Sequence, residues 1–105
     1  MERRITLSHF PKTHEEFREP VMKILERNYD KLEQFFPGEL TIAVHFKEAR
    51  KEGHRELVEA RARATGAGHT ITSHHSDWSI ELAAKHAMRN LETEIKKIKE
   101  KGKKS

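Results

Sequence analysis

The longest regular pattern in the sequence is an amphipathic stretch over residues 76–101. Apolar residues recur there at three- and four-residue intervals, which is the spacing of one helix face. They are Ile80, Ala84, Ala87, Leu91, Ile95 and Ile98. Ser76 is of a residue type that caps helix N-termini, so the pattern predicts a helix of roughly seven turns that begins there. An apolar stripe of this length must be buried, and it therefore constrains the whole fold.

The opposite side of this helix is basic. It carries Lys85, Arg89, Lys96, Lys97 and Lys99. Such a surface suits an acidic partner, although a solvated terminus that complements the helix dipole is an alternative interpretation of the lysine-rich end. The whole chain has 21 Lys and Arg against 17 Asp and Glu, a formal charge of +4. That balance alone is a weak indication of nucleic-acid binding, because it is common among soluble proteins.

The length and composition predict one small soluble domain. A chain of 105 residues can bury a single core, and we expect one domain over residues 1–101 with a flexible basic tail over 102–105. The absence of cysteine excludes disulfides and thiolate metal sites and fits an intracellular protein. No apolar run has the length of a signal peptide or membrane span, so we expect a cytoplasmic protein.

A second helix is predicted near the N-terminus. Thr13 and Glu16 have the spacing of a capping box, and apolar residues then continue at helical intervals over residues 14–35. Pro20 lies inside this range and removes a main-chain donor. We therefore expect either a kink at the proline or a regular helix that begins only near Glu19.

Four further segments have the patterns of β-strands. Residues 3–9 and 39–47 alternate polar and apolar side chains, as strands with one buried face do. Residues 55–65 also alternate, although their alanine, glutamate and arginine favour a helix by intrinsic propensity. Residues 69–75 predict a short strand after a glycine-rich turn, and the polar run over 48–54 predicts a hairpin loop.

The predicted order of elements is therefore β-α-β-β-β-α. A helix between the first two strands implies a right-handed crossover and a parallel pair, and the short loops that follow imply an antiparallel meander. We expect an α+β fold with a four-stranded mixed sheet and two helices packed on its apolar face. The small alanines of the third strand let a helix lie close to the sheet.

This order, together with two local stretches, resembles the ribosome hibernation-promoting factors, also called ribosome-associated inhibitors. The stretches are Ser-Asp-Trp-Ser-Ile-Glu-Leu-Ala-Ala-Lys over residues 76–85 and Leu-Glu-x-x-Ile-Lys-Lys-x-Lys over residues 91–99. The resemblance covers essentially the whole chain. It implies a fold related in shape to double-stranded-RNA-binding domains. It also implies binding to the small ribosomal subunit, in the channel of messenger and transfer RNA, which keeps idle ribosomes from translating.

The resemblance further implies that basic residues of the two helices contact ribosomal RNA. In this sequence they are Lys23, Arg27 and Lys31 on the first helix and Lys85, Arg89, Lys96, Lys97 and Lys99 on the last. Lysine and arginine suit this task because each neutralises a phosphate and releases counterions. Glutamates at helical intervals, such as Glu26 and Glu92, offer the alternative of a solvated, internally paired helix surface. We expect a monomer without cofactors or a small-molecule substrate, and the alternative function is an oligomer-forming protein-interaction domain.

Other basic and aromatic residues have two interpretations each. Arg61 and Arg63 are predicted to lie on the open face of the sheet, together with Arg4, His45 and His74. That face is either a second RNA platform or a solvated surface, and the lack of aromatic residues for base stacking favours the solvated surface. Trp78 is interpreted as a core anchor in preference to a stacking platform.

The histidines and the catalytic motifs complete the survey. His69, His74 and His75 lie close in sequence, but adjacent residues of a strand point to opposite faces, so we expect no metal site. Partly charged histidines could strengthen RNA binding as the pH falls. The sequence has no cysteine, no glycine-rich phosphate loop and no GxSxG motif, so we expect no enzymatic activity.

Overall fold

The computed structural model describes the main chain over residues 3–103 and the side chains over residues 3–99. Its elements are β1 (Ile5–Ser8), a 3-10 segment (Lys12–Phe17), α1 (Arg18–Leu32), a short 3-10 turn (Glu33–Phe35), β2 (Thr41–Glu52), β3 (Arg55–Gly66), β4 (His69–Asp77) and α2 (Ile80–Lys103). The predicted order of strands and helices is confirmed. Of the tail expected over 102–105, two residues continue α2 and the last two lie outside the described residues.

The four strands form one mixed sheet in the order β1-β2-β3-β4. β1 pairs with β2 in parallel, with Ile5 opposite Ile42, and the other two pairs are antiparallel. Because α1 connects parallel strands and α2 follows a strand parallel to β2, the two helices run in the same direction. The predicted parallel pair and antiparallel meander are thus confirmed.

Both helices cover the same face of the sheet and enclose the core with it. The core includes Val21, Leu25, Tyr29 and Leu32 of α1, Ile42, Val44 and Phe46 of β2, Ala60, Ala62 and Ala64 of β3, and Ile80, Ala84, Ala87, Leu91 and Ile95 of α2. The apolar stripe predicted for the last helix is therefore the buried one, with Ile98 partly buried at its end. Over the described residues, neither helix has an apolar stretch that could cross a membrane.

The first helix begins late, which was one of the two outcomes expected from Pro20. Regular α-helix starts at Arg18, so the proline lies in the first turn, where main-chain N–H groups have no helical acceptor. The predicted capping box at Thr13 is wrong. Thr13 lies inside the preceding 3-10 segment, and its hydroxyl donates to Glu56 Oε2 over 3.1 Å. This hydrogen bond connects the 3-10 segment to β3, and Thr13 does not cap α1.

The predicted loop over residues 48–54 is also wrong, because β2 continues to Glu52 and only Gly53 and His54 form the turn. The last part of β2 is exposed to solvent on both faces, so its side chains show no apolar alternation. Opposite charges face each other across the strands instead, at Lys51 and Glu56 and at Glu52 and Arg55. Such cross-strand pairs favour strand pairing without a buried face.

The N-terminus of the last helix is three residues later than predicted. Ser76 pairs with Glu59 inside β4, and α2 starts at Ile80. Ser79 is the residue that caps it, because the Leu82 N–H donates to Ser79 Oγ over 3.3 Å. Asp77 Oδ1 in turn accepts the Ser79 N–H over 2.9 Å. Strand pairing holds the predicted cap, Ser76, in β4, and Ser79 takes its place as the cap.

Candidate nucleic-acid interface

A groove runs between α1 and α2 on the side of the molecule away from the sheet. It has a volume of about 480 Å³. Its lining comes from Ile24, Arg27, Asn28 and Lys31 of α1 and from Glu81, Leu82, Lys85, Arg89 and Glu92 of α2. Residue numbers rise together along its two sides because the helices are parallel. Cations that are far apart in sequence therefore become neighbours.

Four cations dominate this interhelical groove, two from each helix. Arg27 and Lys31 are one turn apart on α1, and Lys85 and Arg89 are one turn apart on α2. All four are exposed to solvent. Among the side chains that the structure describes, no carboxylate forms an ion pair with any of them. The groove is therefore a rigid basic surface whose charges are available to an anionic partner.

The other four predicted contact residues lie elsewhere on the helices. Lys23 pairs with Glu19 over 3.7 Å, Lys96 with Glu92 over 3.6 Å and Lys97 with Glu94 over 3.5 Å. Lys99 Nζ lies 4.7 Å from the centre of the Phe36 ring. The three lysines of these pairs are exposed, and surface ion pairs contribute little to stability and exchange readily with water or another anion. The structure thus brings together half of the predicted set.

Five of the nine residues that line the groove were not among the predicted contact residues, and two of them, Leu82 and Asn28, are uncharged residues of its two sides. Leu82 is 42% exposed, and Asn28 donates from its amide nitrogen to the Ile24 carbonyl over 2.8 Å. The sequence signal for Leu82 is its position three residues before Lys85 and seven before Arg89, on the basic side of the helix. A large apolar residue outside the buried stripe is a candidate contact residue.

The predicted open-face residues lie on the side of the sheet opposite the helices. His45, Arg61 and His74 form one cross-strand row there, and Arg63 lies in the next row. Arg4 lies at the end of the sheet, where its guanidinium donates to the Gly38 carbonyl over 3.4 Å.

Trp78 does not anchor the core, so that prediction is wrong. It precedes α2, is half-buried and lies outside the core cluster. The guanidinium carbon of Arg55 lies 4.3 Å from the centre of its ring, which is a cation–π contact. Because α2 begins after Trp78, the side chain is not carried onto the buried stripe.

The histidines are dispersed over both faces. His74 and His75 point to opposite sides of β4, as predicted, and the His75 ring lies 4.8 Å from that of His86 on the helix side. Over residues 3–99, no group of three or more His, Cys, Asp or Glu side chains is arranged to hold a metal ion.

The chain also has relatives in sequence and in structure. The family model of the sigma 54 modulation protein / S30EA ribosomal protein matches residues 5–103. The chain belongs to this family. Membership makes it a ribosome-associated modulation factor, and the family predicted from the sequence is confirmed. A comparison with curated proteins finds no significant match.

Two solved structures share the fold of this family member. The N-terminal domain of Protein Y from Thermus thermophilus has a TM-score of 0.67 at 18% identity, over 93% of this chain and 99% of that one. A ribosomal subunit interface protein from Coxiella burnetii has a TM-score of 0.53 at 18% identity, over 94% of this chain and 98% of that one. At this identity the likeness establishes the α+β fold.

Proposed function

We propose that the protein binds the small ribosomal subunit through the interhelical groove and blocks the channel of messenger and transfer RNA in idle cytoplasmic ribosomes. The observation that supports this most is the convergence of Arg27, Lys31, Lys85 and Arg89 on one rigid surface. Family membership and the titles of the structural neighbours support a ribosomal partner.

The groove has the chemistry needed to hold ribosomal RNA. RNA helices are recognised mostly by shape and through phosphates and 2′-hydroxyls, and four cations on two parallel helices can follow a sugar-phosphate backbone. Each neutralised phosphate releases counterions, so binding weakens as salt rises. Glu81 and Glu92 also line the groove and would repel a phosphate placed at their positions. This confines the contact to the part of the groove with the cations.

Three of the four remaining predicted residues act at longer range. Lys23, Lys96 and Lys97 are exposed and only weakly held by their glutamates, so they raise the potential around the groove and can exchange partners when RNA arrives. Inhibition then results from occupancy. A domain that is rigid because its two helices are packed on one sheet excludes other ligands from the same channel without any chemical step.

Charge reversal in the groove tests the proposed surface. We expect the double variant Lys85→Glu/Arg89→Glu to lose cosedimentation with small ribosomal subunits in moderate salt, because attraction to phosphates becomes repulsion. The matched control is Lys12→Glu/Arg18→Glu, which makes the same change of net charge at two exposed positions outside the groove. Both variants should keep the circular dichroism spectrum of the unmodified protein.

The outcomes separate the groove from general charge. Retained binding by Lys85→Glu/Arg89→Glu would contradict the proposed surface, and equal loss by both variants would show that only net charge matters. Hydroxyl-radical footprinting of the complex then tests the channel. We expect protection of channel nucleotides and exclusion of messenger RNA, and simultaneous binding of messenger RNA and the protein would contradict the blocking mechanism.

A further inference from the structure

The open face of the sheet contains a depression of about 540 Å³. Two cross-strand rows form it. In the first, Arg63 of β3 lies between Ala43 and Thr72; in the second, Arg61 lies between His45 and His74. The side chains on either side of Arg63 are small, whereas the longer arginine and imidazole side chains project from the sheet around them. Ser8 adds a hydroxyl at the β1 side.

The charges on this face are not balanced. Arg61 and Arg63 are two residues apart on the same side of a strand, a separation of about 7 Å along the backbone. Glu59 accepts from Arg61 Nε over 2.7 Å, and its other oxygen lies 3.8 Å from His74 Nδ1. Within the described part of the chain, Arg63 has no ion-pair partner. Glu59 therefore contacts Arg61 and His74 and leaves the charge of Arg63 unpaired, and an anion would relieve the remaining repulsion.

The histidines make the charge of this face dependent on pH. His9 Nδ1 and His45 Nδ1 are 3.1 Å apart, with ring centres separated by 4.4 Å, and Ser8 Oγ lies 3.3 Å from His45 Nδ1. In the neutral pair one nitrogen donates and the other accepts. When both rings are protonated, both nitrogens are donors, and an acceptor must be found outside the pair. A phosphate oxygen over the depression can supply it.

We propose that this depression binds the phosphodiester backbone of RNA, on the side of the molecule opposite the interhelical groove, and that protonation of His9, His45 and His74 strengthens the contact. The proposal rests on the proposed function only in taking RNA as the ligand. The protein would then hold two RNA segments at once, one on each broad face. Arginine forks, imidazolium N–H groups and hydroxyls are the donors that phosphate oxygens accept from.

The residues that line the depression are poorly suited to stacking with bases or to packing against an apolar protein surface. Among the residues around the depression, none is an aromatic other than histidine, and no aliphatic side chain is larger than alanine. Bases find no Phe, Tyr or Trp ring to stack on, and an apolar protein surface has nothing to pack against. Both helices cover the opposite face, so among the described side chains the charged groups that act on the three histidines are Arg61, Arg63, Glu59 and the more distant Lys47. Together these groups carry a net positive charge.

The test uses the full chain with the groove inactivated by Lys85→Glu/Arg89→Glu, and a fluorescein-labelled oligouridylate of about 12 nucleotides as probe. We expect residual binding by fluorescence anisotropy that falls about tenfold when Arg61→Gln/Arg63→Gln is added. The slope of log affinity against log salt should become shallower by about 1.4, the value for two phosphates on a single strand. The matched control is Arg50→Gln/Lys51→Gln on the exposed β2–β3 hairpin, which should leave both quantities unchanged.

The pH dependence provides a second measurement. Affinity of the groove-inactivated protein should rise several-fold from about pH 8 to about pH 6, and His45→Asn/His74→Asn should remove most of this rise. Amide NMR shifts on adding the probe should appear at Ala43, Arg63 and Thr72. Unchanged affinity in Arg61→Gln/Arg63→Gln, or shifts confined to the helices, would overturn the proposal. Neither result bears on ribosome cosedimentation through the groove, which is measured separately.

Discussion

At the scale of single residues, Arg3 and Asp30 form the best-aligned ion pair of the described structure. Arg3 Nε donates to Asp30 Oδ1 and its Nη2 to Oδ2, both over 2.9 Å, so the guanidinium binds the carboxylate as a fork. The hydrogen bonds from Arg3 lower the pKa of Asp30 below its ordinary value. The pair joins the start of the chain to α1.

The pKa of Asp30 should therefore depend on Arg3. We expect Arg3→Ala to raise it toward the ordinary value, measured by NMR titration of the carboxyl group, whereas Arg4→Ala leaves it unchanged because Arg4 bonds to the Gly38 carbonyl. Since the folded pKa is the lower one, the pair stabilises the fold above the unfolded pKa of about 3.9, and this contribution is lost as the pH falls through the folded pKa. The effect on stability is small because both side chains are exposed. An unchanged Asp30 pKa in Arg3→Ala would contradict this account.

The buried residues of the helices were predictable, and single residues outside them were less so. The spacing of Ile80, Leu91 and Ile95 determines one face whatever the partner is, because helix geometry is local. Trp78 was wrongly predicted because its position depends on where the helix begins. Because α2 begins three residues later than predicted, Trp78 belongs to the linker before the helix and not to the buried stripe of the helix.

At the scale of elements, the cap of α2 provides a direct test of the observed helix boundary. We expect Ser79→Ala to lower the free energy of unfolding by about 1 kcal/mol, because the Leu82 N–H loses its acceptor. Ser76→Ala also removes a serine hydroxyl, but from an exposed strand position, and it should change the free energy of unfolding by less than about 0.5 kcal/mol. Urea denaturation followed by circular dichroism measures both. A larger loss in Ser76→Ala would restore the boundary predicted from the sequence.

Element order and sheet faces were predictable because each rests on a period in the sequence. The alternation in β3 correctly outweighed the helix propensity of its alanines, since Ala60, Ala62 and Ala64 are all buried against the helices. The second half of β2 was missed because it carries no such period. Its pairing with β3 depends on charges across the strands, and these appear only once the register is known.

At the scale of the whole molecule, the candidate interface was predictable in composition but not in arrangement. The basic residues of both helices were identified from the sequence, and the crossover topology places the helices side by side. Which four cations meet depends on the rotation of each helix about its axis, and the core packing determines that rotation. Lys96 and Lys97 have the same residue type and helix as Lys85, yet they lie outside the groove.

The exposed surface also predicts the oligomeric state. Among the described side chains, Leu82 is the one large apolar residue that is well exposed, and the two edge strands are short (β1) or mostly polar (β4). Stable homodimers need a larger apolar contact. We expect sedimentation equilibrium to give the mass of one chain across a wide concentration range. A concentration-dependent dimer would favour the alternative function of a protein-interaction domain.

The parallel pairing of β1 with β2 has a consequence for how the chain folds. The strands of the meander are joined by tight turns at Gly53 and Gly68, so their contacts form between segments close in sequence. Ile5 and Ile42 are separated in sequence by the whole of α1, so their pairing closes a much longer loop. Closing that longer loop costs more chain entropy, so we expect the contacts between β1 and β2 to form last. We therefore expect the meander to form the nucleus of folding, and we expect β1, with four residues and one neighbour, to be the strand that detaches first.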